Sequence, residues 1–257
     1  MIDVVYVLGR GSRWEDNELR FSLRSVHKHL QNVGTVFVVG ERPRFNHYVR
    51  EPMAWERPFD GQRALFHVPF PDLHHNKERN IYEKVLHACS LRFVSSPFLF
   101  MNDDHFLLQD FDADTFPDFH KADLSVAAQA MPGYSSYRQT LEHTREVLVE
   151  RGLPTANFDV HCPIRYDAER FRAVMPTYDW THPRAFAVKS LYGNSVGLAG
   201  TLQRDGKFSF VPTDQRMLVE YVRDRPFFSV GDHAVNEHLA DFLLGLYPDP
   251  SPWEVPT

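Results

Sequence analysis

Cysteine is nearly missing from this sequence. Cys89 and Cys162 are the only two in 257 residues, and neither belongs to a CxxC or a His-paired spacing. That pattern speaks against a disulfide framework and against a structural zinc site. No stretch approaches the roughly 18 consecutive apolar residues of a membrane helix, so no spanning segment is expected. The opening Met1-Ile2-Asp3-Val4-Val5 lacks the basic segment of a secretory leader, and a cytoplasmic protein is the expectation. An excess of positive charge is missing too: 28 Lys and Arg stand against 34 Asp and Glu, a net charge of −6. Proteins that wrap many phosphates usually carry the opposite balance, so tight non-specific nucleic-acid binding is disfavoured. A local basic groove at Arg42, Arg44 and Arg50 remains open. The nucleophile elbow GxSxG, the dinucleotide motif GxGxxG after a strand and the phosphate loop GxxxxGK[ST] do not occur. Gly9-Arg10-Gly11-Ser12 is too short for the last of these and lacks its lysine.

What is present is ordinary globular composition, with 43% hydrophobic and 24% charged residues. At this length one substantial core is affordable, and a single domain over 1–257 is the simplest organisation. Aromatics reach 14%, including 21 Phe, which provides for a dense core and for surfaces that stack on sugars or bases. Apolar runs predict strands over 2–8 and 35–39, with a helix over 18–30 between them, capped by Asp16 or Asn17. Strand, helix, strand within forty residues is a βαβ unit, and it implies a parallel sheet with ligands at the C-terminal strand ends. Further strands are expected at 64–68, 97–101 and 124–130, and helices at 76–93, 137–151, 168–174 and 234–246. The fold class is therefore α/β, with a mixed, mostly parallel sheet flanked by helices.

The strongest chemical signal is Asn102-Asp103-Asp104, which follows the apolar run 97–101. Acids just beyond a buried strand project into the crevice where α/β sheets bind ligands. Paired carboxylates there suit a hard divalent cation, Mg²⁺ or Mn²⁺, holding a diphosphate. The same tripeptide is also common turn chemistry, but the apolar residues on both sides favour a buried acid pair. Asp3 is a second candidate, because an acid within a strand is costly to bury without a partner. Arg20 and Arg24 share one helix face, placed either to clamp phosphates or to pair with Glu15, Asp16 or Glu18. His161 sits two residues after Asp159 on a stretch expected to be extended. There the acid can orient the imidazole as a base or phosphate ligand, and the competing reading is one structural histidine among 14. Asp232-His233 after Phe227-Phe228-Ser229-Val230 repeats the strand-then-acid arrangement, as a metal or donor contact or as a turn.

The order of these blocks resembles the Stealth proteins, a family that includes bacterial capsule hexose-1-phosphate transferases and the eukaryotic enzyme that tags lysosomal glycoproteins. Ile2-Asp3-Val4-Val5-Tyr6, Asp16-Asn17-Glu18-Leu19-Arg20-Phe21-Ser22-Leu23-Arg24-Ser25-Val26 and Val36-Phe37-Val38-Val39 are similar to its opening blocks. Phe100-Met101-Asn102-Asp103-Asp104 is similar to its Asn-Asp-Asp block, and Asp159-Val160-His161-Cys162-Pro163 to its His-x-Pro block. Leu191-Tyr192-Gly193-Asn194 resembles the segment that follows, and Leu246-Tyr247-Pro248-Asp249-Pro250-Ser251-Pro252-Trp253-Glu254 its closing motif. The chain departs from the family at Val7-Leu8-Gly9, at 76–83 (NKERNIYE, which reads as a donor-binding helix) and at 227–233, which lacks an Asn-Asp pair.

The resemblance implies a GT-A-like nucleotide-sugar transferase with a divalent metal and a UDP-sugar donor. An acceptor hydroxyl would attack the sugar-bearing phosphate, moving sugar-1-phosphate. By position, Asp3, Arg20, Glu83, Asp103, Asp104, His161, Arg184 and Asp232 would carry over. The expected assignment places His161, Arg184, Arg20 and Asp104 in catalysis. Asp3, Arg20, Arg24, Glu83, Asn102 and Asp103 would bind the donor, and Asp103, Asp104 and Asp232 the metal. The acceptor is a hydroxyl, on a glycan or on modified DNA. A glycosyltransferase releasing the nucleoside diphosphate, for instance onto a hydroxymethylated base in phage DNA, is the alternative chemistry. A non-catalytic carbohydrate-binding protein on the same scaffold is the alternative class.

Overall fold

A computed structural model of the chain describes residues 1–45, 65–130 and 135–255, together with the backbone of 49–50. The side chain of Arg50 and the residue Ala64 lie outside the described residues. The first half runs β1 (Ile2–Leu8), α1 (Asn17–His29), β2 (Leu30–Gln31), β3 (Val33–Gly40), β4 (Val49–Arg50), β5 (Leu65–Pro69), α2 (Lys77–Ser90) and β6 (Phe98–Asn102). The middle contributes β7 (His105–Leu107), β8 (Phe111–Asp112), β9 (Phe119–Asp123), α3 (Leu124–Gln129), α4 (Ser136–Glu150), β10 (Ala156–Asn157), β11 (Ile164–Tyr166) and α5 (Ala168–Val174). The chain then forms α6 (Val188–Val196), β12 (Thr201–Leu202), β13 (Lys207–Phe208), α7 (Gln215–Val222), β14 (Phe227–Val230) and α8 (Glu237–Leu246).

The main sheet has the order β11-β6-β1-β3-β5-β4. Five of its strands are parallel, and β11 at the edge is antiparallel to β6. Because strand side chains alternate, β1 feeds two cores. Val5 and Val7 join Phe37, Val39, Phe98 and Phe100 beneath α2, α5 and α6. Val4, Tyr6 and Leu8 join Val36, Val38, Leu99 and Met101 beneath α1. A third apolar cluster packs α7 and α8 onto Phe106, Phe228 and Val230 of a small sheet ordered β13-β14-β7. The result is an α/β fold with helices on both faces of a mostly parallel sheet.

One topological fact positions the site. From β1 the chain winds outward through β3 and β5, then returns to lay β6 on the other flank of β1. The connections leaving β1 and β6 diverge, which opens a crevice at their C-terminal ends, the usual ligand position in such sheets. Close packing at that edge requires Gly40, at φ 132°, since a Cβ there would stand 2.0 Å from the Leu8 carbonyl oxygen.

Three local expectations are corrected. Residues 124–129 are helical rather than extended, because the Asp123 carboxylate accepts a hydrogen bond from the Ser125 amide and caps α3. Asp16 stands at the N-cap of α1 but makes no capping bond; its carboxylate instead accepts three hydrogen bonds from Arg44. His161 lies in a bend at φ 53° rather than on an extended segment. No helix among the described residues is long and apolar enough to cross a membrane.

Candidate functional site

The crevice at the β1 and β6 ends is a cavity of about 960 Å³. Its walls come from the turn after β1 (Gly9 to Ser12), the start of α2 (Asn76, Lys77, Glu78), Asn102, Asp103 and Asp104 after β6, and Asp159 and His161. Lys189 of α6, Lys207 of β13 and Asp232 after β14 complete them. The lining carries seven carboxyl groups against five Lys and Arg side chains. This imbalance decides the electrostatics.

Asp103 and Asp104 sit in the tight turn between β6 and β7. The Asn102 amide donates to Nδ1 of His105 at 3.3 Å, which places that ring's proton on Nε2. Burial pushes the His105 pKa well below its ordinary value, so the ring packs under the acid turn as a neutral group. Asp104 accepts from the Lys207 ammonium at 2.7 Å and from the Ser229 hydroxyl at 2.8 Å. Burial opposes the charge on Asp104, but Lys207 outweighs it and holds the group well below the carboxylate range. Among the described residues Asp103 has no such hydrogen-bonded partner. Burial, followed by the charge of Asp104, pushes its pKa up to about 7, with Lys77 pulling the other way. Lys77 also lines the cavity; burial works against its charge, yet Asp104 and Asp103 raise its pKa overall.

A second cluster faces the same space. Asp159 accepts from the Tyr137 hydroxyl and lies 3.8 Å from the Lys189 ammonium. Burial resists its ionisation, but His161 and Lys189 keep its pKa low. Beside it, burial and the Asp159 charge push Glu78 up to about 7. His161 donates from Nδ1 to Asp205 at 2.7 Å, leaving Nε2 as the nitrogen available to the cavity.

The residues singled out in the sequence therefore divide. Asn102, Asp103, Asp104, His161 and Asp232 come together around one cavity. Asp3, Arg20, Arg24, Glu83 and Arg184 are not among its lining residues, and each has another partner. Asp3 lies at the opposite end of β1, where its carboxylate accepts from the amides of Thr35 and Ser95. Arg20 and Arg24 pair with Glu254, not with the acids of their own helix. Glu83 accepts from His74 and Arg79, and Arg184 pairs with Glu146. Of the basic segment, Arg44 is spent on Asp16.

The residues that sequence reasoning missed are Lys77, Glu78, Tyr137, Lys189, Asp205 and Lys207. Lys207 meets Asp104 across 103 positions and Asp205 meets His161 across 44, so no local pattern announces either pair. Only Lys77 and Glu78 carried a signal, since they fall in the segment 76–83 read as a donor-binding helix.

The donor chemistry fits a divalent cation. Asp103 and Asp104 supply hard oxygens, the negative lining is under-compensated, and Mg²⁺ typically takes one or two carboxylates with phosphate oxygens and waters completing its shell. No ready-made group of three or more His, Cys, Asp or Glu suited to a metal occurs among the described residues. Any cation here would rest on the acid pair and on what the ligand brings. No protein-family model matches the chain, and no curated protein matches its sequence.

Proposed function

We propose that this chain transfers sugar-1-phosphate from a nucleotide-sugar donor to a hydroxyl acceptor, with a divalent cation on Asp103 and Asp104. The single observation that carries the reading is the acid pair at the β1/β6 crevice, which shares with Lys77 and Lys207 the lining of a cavity large enough for a nucleotide sugar. Carboxylates that hold a cation and lysines in the same cavity lining are what a diphosphate needs. An α/β sheet with acids at a central strand end is compatible with a GT-A-like fold, and a cytoplasmic place of action fits this donor class.

The cation would supply Lewis-acid charge neutralisation on the diphosphate. The chain's own residues do the rest. Lys77 and Lys207 balance charge on phosphoryl oxygens. His161 Nε2 takes the proton of the acceptor hydroxyl as its oxygen bonds to the sugar-bearing phosphorus. The bond from that phosphorus to the bridging oxygen breaks, and the nucleoside monophosphate leaves with the electron pair.

The test is incubation with a panel of nucleotide sugars, Mn²⁺ and hydroxyl acceptors including glycans, followed by ion-pair chromatography. The expected product is the nucleoside monophosphate. Accumulation of the diphosphate would instead indicate attack at the anomeric carbon, and no nucleotide release from any donor would overturn the reading.

A further inference from the structure

The cavity's base and its acid pair lie on different parts of the chain, yet one short segment touches both. Asp205-Gly206-Lys207 runs between the 160–161 bend and β14. The Gly206 amide donates to the Val160 carbonyl at 2.9 Å, and the Ser229 amide donates to the Gly206 carbonyl at 2.9 Å. A Cβ on Gly206 would lie 3.1 Å from the His161 carbonyl oxygen and 3.2 Å from that of Val160, so the segment is pressed against the bend with no room to spare. At one end Asp205 accepts from His161 Nδ1 at 2.7 Å. At the other, the Lys207 ammonium is held by Asp104, by the Ser229 hydroxyl and by the Val230 carbonyl.

Resting on the reading of His161 as the base, we propose that Asp205 is the positioning residue that fixes the His161 tautomer, and that Asp205-Gly206-Lys207 sets the distance between this base and the acid pair. The chemistry is that of any histidine base with a carboxylate behind it. A base must present a bare nitrogen, and a carboxylate that accepts from Nδ1–H leaves Nε2 bare. When Nε2 takes the acceptor's proton, the ring becomes a cation beside Asp205, and the carboxylate stabilises it without taking the proton. The carboxylate is itself anchored, because its other oxygen accepts from the Lys121 ammonium. The Lys207 amide donates to Asp205 Oδ1 at 3.2 Å, which locks its rotation.

Lys121 makes the test sharp. In Asp205→Asn one oxygen becomes NH₂, and the ammonium of Lys121, a donor only, claims the oxygen that remains. The new NH₂ then faces His161 Nδ1, which must accept, so the ring proton moves to Nε2. The competing Lys207 amide is uncharged and farther away, and does not reverse this choice. Long-range ¹H–¹⁵N correlation spectra of the full chain, recorded where the ring is neutral, read the position of the proton directly.

The expected result is Nδ1–H in the wild-type protein and Nε2–H in Asp205→Asn. A wild-type ring protonated on Nε2 overturns the proposal even if the variant fails to fold, and so does a folded variant that keeps the wild-type tautomer. Turnover is a separate arm. With the donor found by the nucleotide-sugar panel, Asp205→Asn should lower kcat about 10²–10⁴-fold with little change in KM. An unchanged kcat alongside a switched tautomer overturns the role in the reaction. Failure of the panel leaves the tautomer experiment decisive for the positioning role and counts against the transferase reading alone.

Discussion

At the scale of single residues, Asp103 and Glu78 have the least settled charges in the cavity, and Asp103 is the one in the acid pair. Its folded-state pKa, about 7, lies above the ordinary 3.8. For an acid this means that folding penalises the carboxylate. The penalty is absent below about pH 4, grows between pH 4 and 7, and is complete above pH 7. Asp103→Asn should therefore stabilise the ligand-free protein at pH 8. The gain should vanish by pH 4. The same substitution should abolish calorimetric binding of UDP with Mn²⁺, because it removes a hard oxygen donor. A variant that is no more stable at pH 8, or that binds UDP and Mn²⁺ as before, would remove the electrostatic argument for a cation site. Asp104 is different, since Lys207 already compensates it. The sequence made the acid pair legible because both acids follow an apolar strand directly. It could not show which of the two is compensated, because that depends on a lysine 103 positions away.

At the scale of elements, the first helix and the C-terminal tail are joined by a buried clasp. Arg24 makes a bidentate contact with Glu254 at 2.8 and 2.7 Å, Arg20 adds a third bond, and Arg24 also donates to the Tyr247 carbonyl. Burial works against the Glu254 charge, but the two arginines bring its pKa down to about 2 from an ordinary 4.5. Its stabilisation is therefore present above about pH 4.5 and lost as pH falls toward 2. A shift of this size corresponds to about 3 kcal/mol. Glu254→Gln should lower the unfolding free energy by about that amount at pH 7, with the difference shrinking below pH 4.5. Urea denaturation across pH measures it, and a difference that stays constant with pH would show that the clasp is not electrostatic.

The clasp also explains why two distant blocks of sequence stood out together. The opening Arg-x-x-x-Arg and the closing Trp-Glu are the two halves of one contact, a structural reason for a pattern that also reads as phosphate binding. β1 and β3 were legible as apolar runs buried on both faces, and α1 by the helical spacing of Leu19, Leu23, Val26 and Leu30. α3 was not, because Leu124-Ser125-Val126-Ala127-Ala128 satisfies both periods and one cap at Asp123 decides between them. Asp3 shows the same limit: an acid in a strand demands a partner, but the sequence does not show that the partners are two backbone amides.

At the scale of the whole molecule, the cavity gathers residues from Val7 to Val235, so the ligand site and the folded chain are one arrangement. Each wall rests on a different apolar cluster. Phe100 beneath the acid turn belongs to one core, Cys162 beside His161 to a second, and Val230 near Lys207 to the third. A ligand that bridges the walls must therefore stabilise all three clusters together. Binding to the folded state alone contributes RT ln(1 + [L]/Kd), about 2.7 kcal/mol at a hundredfold excess over Kd. For a chain of this size that corresponds to a rise in Tm of roughly 5–10 °C. Calorimetry with UDP and Mn²⁺ at that excess should show one cooperative transition that moves upward as a unit. Asp103→Asn, lacking the cation ligand, should show one transition that does not move. Two separate transitions, with only one responding to the ligand, would divide the chain into independent units and place the cavity within one of them. The absence of any shift for the wild-type chain at saturating nucleotide would mean that the acid pair, the lysines and the space between them serve a ligand of another class.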